Sequence, residues 1–278
     1  MRFGLLVQMT GLLGYPQPLA RLAREAEAAG WDGFFIWDVF GGDKAAPSPV
    51  VDPWIALAAI AATTERIRFG PMVTPLPRRR PWKVAREAAS LDHLSSGRLI
   101  LGVGIGTPPE EFARFGEEPD PRIRAEMLDE GLEVLTGLWS GEPFSFHGRH
   151  YRVEEATLLP RPVQQPRIPI WVGGTWPRKP SFRRAARWDG VFPGGLNGNL
   201  TLDEIHEMVG FIQSQRPSGE PLDVMVGGDV PFDNPERAGE ILAEYAAAGV
   251  TWWMEGVGEW RGDVEAMARF IQGGPPGR

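Results

Sequence analysis

The run IWVGGTWPRKPSFRR (170–184) gathers more anion-binding groups than any other part of the chain. Gly173 and Gly174 offer backbone N–H groups, Thr175 and Ser181 add hydroxyls, and Arg178 and Lys179 bring full positive charge beside an expected helix start. Free N–H groups and a helix dipole both favour a phosphate or similar anion. Arg122 and Arg124, opening the helix after the fourth strand, are weaker candidates of the same kind. The carboxylates Asp38, Glu111 and Glu255 admit a different chemistry, hydrolysis, if two of them stand about 5–10 Å apart in an open cleft. LGVGIG (101–106) invites a dinucleotide-binding reading, but Thr107-Pro108-Pro109 follows where that motif needs a helix. Gly104 and Gly106 are read instead as letting a planar ligand approach the backbone, or as packing positions.

These groups are positioned by an alternation of strands and helices. Short apolar runs at 2–7, 33–37, 67–72, 99–103, 168–172, 190–192, 222–226 and 250–255 read as buried strands. Helices are expected over 18–29, 53–64, 81–95, 122–139, 180–187, 202–215, 235–248 and 263–271. Eight strands each followed by a helix make an α/β protein, a (β/α)8 TIM barrel in one domain. PFSFHGRHYRVE (143–154) alternates around His147-Gly148 and reads as a small β-hairpin insertion. GGPPGR (273–278) reads as a flexible tail.

In such a barrel the chemistry sits on the loops after the strands. That rule gathers Asp38, Thr74, Thr107 with Glu110 and Glu111, the segment 173–179, Gly194-Gly195, Asp229 and Glu255 on one face. The four histidines fall elsewhere: His93 at the far end of a helix, His147 and His150 in the hairpin, His206 on an outer helix. Neither a histidine-rich metal site nor a Ser-His-Asp triad is expected. Among eleven tryptophans, Trp37 and Trp176 lie at or past strand ends, where an indole can stack on a flat cofactor.

Composition bounds the partners. A net charge of −7 over 278 residues argues against nucleic acid. The absence of cysteine excludes disulfides, thiolate metal sites and a cysteine nucleophile. MRFGLLVQM reads as a first strand and not a signal peptide. The longest apolar run, 54–62, is too short to span a bilayer. A cytoplasmic protein with no membrane partner is expected.

Several phrases carry a family resemblance. TERIRFGPMVTPLPRRRP, LDHLSSGR and LILGVGIG, with WDGFFIWD, GRHYRV and LLPRPVQQPRIPIWVGG, resemble the luciferase-like superfamily of flavin- and deazaflavin-dependent oxidoreductases. The resemblance covers residues 1 to about 195. It implies FMN or coenzyme F420 as cofactor, with Asp38 against the redox ring. It also implies a bulge at Val73 and Thr74 behind that ring, often with a non-prolyl cis peptide nearby, and cofactor phosphate near Gly173–Lys179. The family usually pairs its Asp with a His; here position 39 is Val.

The expected activity is hydride transfer or monooxygenation of a small organic substrate. Asp38 and Thr107 are the candidate catalytic groups. Asp38, Val73, Thr74, Gly104, Gly106, Gly173, Gly174, Thr175, Trp176, Arg178 and Lys179 are the candidate cofactor-binding groups. No metal is expected. A flavin reductase is an expected partner if FMN is used. A homodimer is expected from the aromatic helices carrying Trp54 and Trp82, and the resemblance points the same way. A non-catalytic flavin-binding protein and a barrel hydrolase stay open as alternatives.

Overall fold

The computed structural model describes residues 1–41, 47–196, 198–217, 219–228, 230–231 and 234–276. The expected Asp229 site and residues 42–46 of the loop following Asp38 therefore lie outside the described residues. The chain opens with β1 (Arg2–Val7), α1 (Pro16–Ala28), β2 (Gly33–Ile36) and α2 (Pro53–Thr63). It continues through β3 (Arg68–Pro71), β4 (Thr74–Pro75), α3 (Pro81–Leu94), β5 (Leu101–Gly104), α4 (Pro109–Ala113) and α5 (Pro121–Trp139). A hairpin of β6 (Phe144–His147) and β7 (Arg152–Ala156) precedes β8 (Ile170–Trp176), α6 (Lys179–Ala185) and β9 (Gly190–Gly195). The last part is α7 (Leu202–Ser214), β10 (Asp223–Gly227), α8 (Pro235–Ala247), β11 (Trp252–Val257) and α9 (Val264–Gln272).

The large sheet runs β3-β2-β1-β11-β10-β9-β8-β5-β4, parallel throughout. A parallel bridge from Phe69 to Leu99, with the Ile100 N–H donating to the Phe69 carbonyl at 2.9 Å, joins its ends into the expected barrel. Barrel position three is split. β3 pairs with β2, β4 pairs with β5, and the cis peptide Met72–Val73 lies between them.

Side chains alternate along the strands, so each strand sends one set inward and the other to the helices. The inner set is unusually bulky: Phe35, Met72, Ile100, Trp171, Met225, Trp252 and Met254 form a separate buried cluster. Trp171 and Trp252 meet edge to face at 5.3 Å, and Phe35 contacts both. Glycines make the room. A Cβ at Gly33 would lie 2.8 Å from Trp252, and one at Gly190 would lie 2.4 Å from Trp171. The barrel is thereby plugged from below, and a ligand at the mouth meets a solid floor.

Local chemistry fixes the helix starts. Asp52 accepts the N–H groups of Trp54 and Ile55 ahead of Pro53, and Asp120 accepts that of Arg122 ahead of Pro121. Two glutamates hold turns to the barrel. Glu27 accepts the N–H groups of 65, 66 and 67 where the chain enters β3, and Glu130 accepts those of 149, 150 and 151 at the hairpin turn.

Several expected boundaries move. The strands expected to end at 172 and 192 continue to Trp176 and Gly195, because β8 and β9 keep pairing past Gly173-Gly174. The expected irregular loop after Gly106 contains α4, opened by Pro109 with Glu110 and Glu111 in its first turn. Pro275 and Pro276, in the tail expected to be flexible, are buried. Among the described residues no helix is long and apolar enough to cross a membrane.

Candidate functional site

Two adjoining clefts open at the C-terminal ends of the strands, of about 400 and 380 Å3. Val73, Gly106, Thr107 and Phe192 line both. Val73 stands at the break in barrel position three, and its side chain needs small neighbours. A Cβ at Gly104 would come within 2.7 Å of Val73 Cγ2, and one at Gly173 within 3.1 Å of its Cγ1. The expected opening at Gly104 is therefore filled by Val73, and the two glycines lower the wall on which that side chain rests.

The first cleft holds Trp37, Asp38, Val39 and Glu111. Asp38 is nearly enclosed, with 6% side-chain exposure. It accepts the Thr74 hydroxyl at 2.8 Å and an Arg79 N–H at 3.1 Å. Burial lifts its pKa above the ordinary value; the Arg79 guanidinium and the Thr74 hydroxyl pull downward without cancelling that effect. Thr74 is itself fully buried and does not line either cleft; its hydroxyl is spent on Asp38.

Arg78, in the run Arg78-Arg79-Arg80, ties the surrounding loops together. Its guanidinium bonds Glu111 at 3.1 Å and Glu117 at 2.7 Å and lies over the Phe112 ring at 4.1 Å. The Phe40 N–H donates to Glu111 at 3.2 Å, and Phe40 packs on Phe115 with centroids 4.3 Å apart. Glu111 is thus a tether between two loops.

The second cleft gathers Gly104, Gly173, Gly174, Thr175, Arg178 and Ser181. It also takes in Arg124, 1% exposed, whose Nε is buried without a hydrogen-bond partner. Its other nitrogens reach the carbonyls of Glu118 and Gly106 at 3.3 and 3.4 Å. Arg124 was given less weight than Arg178 from the sequence; its place in the first turn of α5, behind Asp120-Pro121, was the available signal.

Three expected site residues are elsewhere. Trp176 is 2% exposed and wedged against Phe182 and Phe211, so its indole cannot stack on a ligand. Lys179 follows it, with Nζ 3.9 Å from the Trp176 ring centre and 4.4 Å from that of Phe211. Both corrections have one cause: β8 runs on to Trp176, and the alternation turns that side chain toward the helix layer. Glu255 also faces outward, accepting from Trp253 Nε1 at 2.7 Å and sitting 3.5 Å from Arg261. Asp38 and Glu111, which remain in the first cleft, are each paired to an arginine.

The histidines sit away from these clefts. His93 contacts the Arg161 carbonyl at 2.7 Å, His147 pairs with Glu154 and His150 with Glu126. His206 lies on α7.

A family model described as luciferase-like monooxygenase matches residues 1–272. An uncharacterized protein of Mycobacterium tuberculosis is 34% identical over 242 residues, 81% of this chain and 80% of its own. The F420-dependent glucose-6-phosphate dehydrogenase of Nakamurella multipartita is 35% identical over 169 residues, 58% of this chain and 48% of that enzyme. Among solved structures, an F420-dependent secondary alcohol dehydrogenase in complex with an F420-acetone adduct superposes with a TM-score of 0.80. It is 17% identical, with 100% of this chain and 99% of that one covered, a likeness of fold alone.

Proposed function

The chain belongs to the luciferase-like monooxygenase family, and from that premise we propose an oxidoreductase that holds FMN or coenzyme F420 at the barrel mouth and acts on a small organic substrate. The observation that carries the placement is Val73, seated on Gly104 and Gly173 where the two clefts meet. A flat ring fits over that low wall, and its phosphate-bearing tail fits the cleft of Thr175, Arg178 and Ser181. The unpartnered Arg124 Nε is the polar atom such a group would satisfy. When bound, the cofactor supplies the redox chemistry.

The protein's own contribution is orientation and a dry site. Asp38, fixed by Thr74 and Arg79, faces the first cleft at the ring position and can hold or release a proton there. Thr107 lines both clefts and can hydrogen-bond a substrate or ring oxygen. Under FMN the reading includes a separate reductase, and the need for reduced cofactor fits a cytoplasmic location.

The reading extends to a homodimer. Ile55, Trp82 and Leu94 remain exposed on α2 and α3, at 61%, 40% and 52%. Trp54, expected on the same surface, is 5% exposed and takes no part in it. A monomeric mass by light scattering at micromolar concentration would contradict the dimer.

The function is tested by mixing the protein anaerobically with reduced F420 or reduced FMN and small ketones, and by aerobic turnover with reduced FMN. Substrate-dependent oxidation of one cofactor is expected. A protein that binds either cofactor but consumes neither is a binding protein and not an enzyme.

A further inference from the structure

A third cleft, of about 330 Å3, lies beside the first two, between the ends of β9, β10, β11 and β1. Its apolar side-chain walls are Leu6, Phe192, Pro193, Leu200, Val226 and Met254, with glycine backbone between them. Among its described lining residues none is charged, and Asn199 at the rim is the one with a hydrogen-bonding side chain. The neighbouring clefts contrast sharply, since Asp38 and Glu111 line one and Arg124 and Arg178 the other. Phe192 lines all three and stands as the shared wall.

Resting on the cofactor reading above, we propose that this third cleft is the substrate chamber, and that it takes an uncharged, largely apolar molecule with one carbonyl or hydroxyl oxygen directed to Asn199. The physical argument is desolvation. A phosphate or carboxylate entering these walls loses its water and gains no cation from the described lining, whereas hydrocarbon surface gains by leaving water. One oxygen has a side-chain partner at the rim, Asn199. The chamber adjoins Val73 through the shared Phe192 wall, so a substrate there lies next to the ring position.

The test uses full-length protein loaded with whichever cofactor it binds. Cyclohexanone, 2-octanone and, as the anionic polyol, glucose 6-phosphate are each titrated in, and the absorbance of the bound cofactor is followed. Saturable changes are expected with both ketones and none with glucose 6-phosphate at the same concentrations. Leu200→Lys is expected to weaken ketone binding at least tenfold and leave cofactor affinity unchanged, since Leu200 lines this cleft alone. If Leu200→Lys does not fold, Leu200→Ala, which enlarges the chamber, is expected to favour 2-octanone over cyclohexanone. Asn199→Leu, at an exposed position, is expected to weaken both ketones. A saturable response to glucose 6-phosphate, no response to either ketone, or ketone affinities unmoved by these variants would overturn the assignment. Failure to bind either cofactor shows before any ketone is added; it overturns the function reading and the chamber with it.

Discussion

Val73 rests on Gly104, so closely that a Cβ at position 104 would lie 2.7 Å from Val73 Cγ2. Real Cβ atoms do not approach that near, and Gly104→Ala must displace Val73 into the clefts. We expect the variant to keep its circular dichroism and thermal midpoint within a few degrees while cofactor affinity falls about tenfold or more. Gly173→Ala, with 3.1 Å to the same side chain, is expected to act in the same direction and less strongly. Unchanged affinity in both variants would show that Val73 does not back the ring.

Arg178 and its neighbour Lys179 separate by structure. Arg178 is exposed and lines the second cleft, while Lys179 lies over Trp176 and Phe211. Arg178→Glu is expected to weaken cofactor binding roughly five- to tenfold at low salt, with less effect at high salt as screening grows. Lys179→Met is expected to leave binding alone. Equal losses in a titration of both variants would restore Lys179 to the site.

The pH dependence follows from Asp38. Burial raises its pKa, so the folded protein keeps this proton to a higher pH than the unfolded chain does. Its contribution to stability is full below the ordinary value of 3.8 and is lost as pH rises through the raised one. Asp38→Asn should therefore gain stability relative to the parent as pH rises through that window, read from urea midpoints at several pH values. In turnover, one acid-side ionisation is expected that Asp38→Asn removes and that replacing His93, His147, His150 or His206 leaves in place. An ionisation abolished at any of those histidines would contradict the site.

Glu27 has the opposite sign. Burial alone would raise its pKa, but the N–H groups of Ile67, Arg66 and Glu65 outweigh that and lower it below 4.5. Its contribution is present above pH 4.5 and is lost as pH falls through the lowered value. Glu27→Gln is expected to cost about 1–3 kcal/mol at pH 7, with the difference shrinking in acid. A difference that stays constant down to pH 3 would rule out the carboxylate as the stabilising group.

The barrel was legible because each buried strand announces itself as a short apolar run and each helix as a stripe with Pro and Asp at its start. Val73, Gly104, Thr107 and Gly173 were expected near the strand ends, and the structure brings all four to the clefts at the barrel mouth. Trp176 and Lys179 were misread for a reason no single run contains. Whether β8 stops at 172 or continues depends on β9 offering backbone partners through Gly195, a pairing between residues some twenty positions apart. Glu255, expected at a strand end, lies inside β11, and only the register of Trp252 and Met254 inside the barrel sends it outward. Asp38 was a candidate from its place after the second strand, but its partner Arg79 lies 41 residues on, and nothing in the run Arg78-Arg79-Arg80 says which arginine turns inward.

Equilibrium titration of the purified protein with F420 and, separately, with FMN tests the central claim most directly. We predict saturable binding of one cofactor at one per chain, with a dissociation constant of about 1 μM or tighter, weakened in Gly104→Ala. Binding of neither, or binding that Gly104→Ala and Gly173→Ala both leave untouched, would contradict a cofactor seated against Val73 at the barrel mouth.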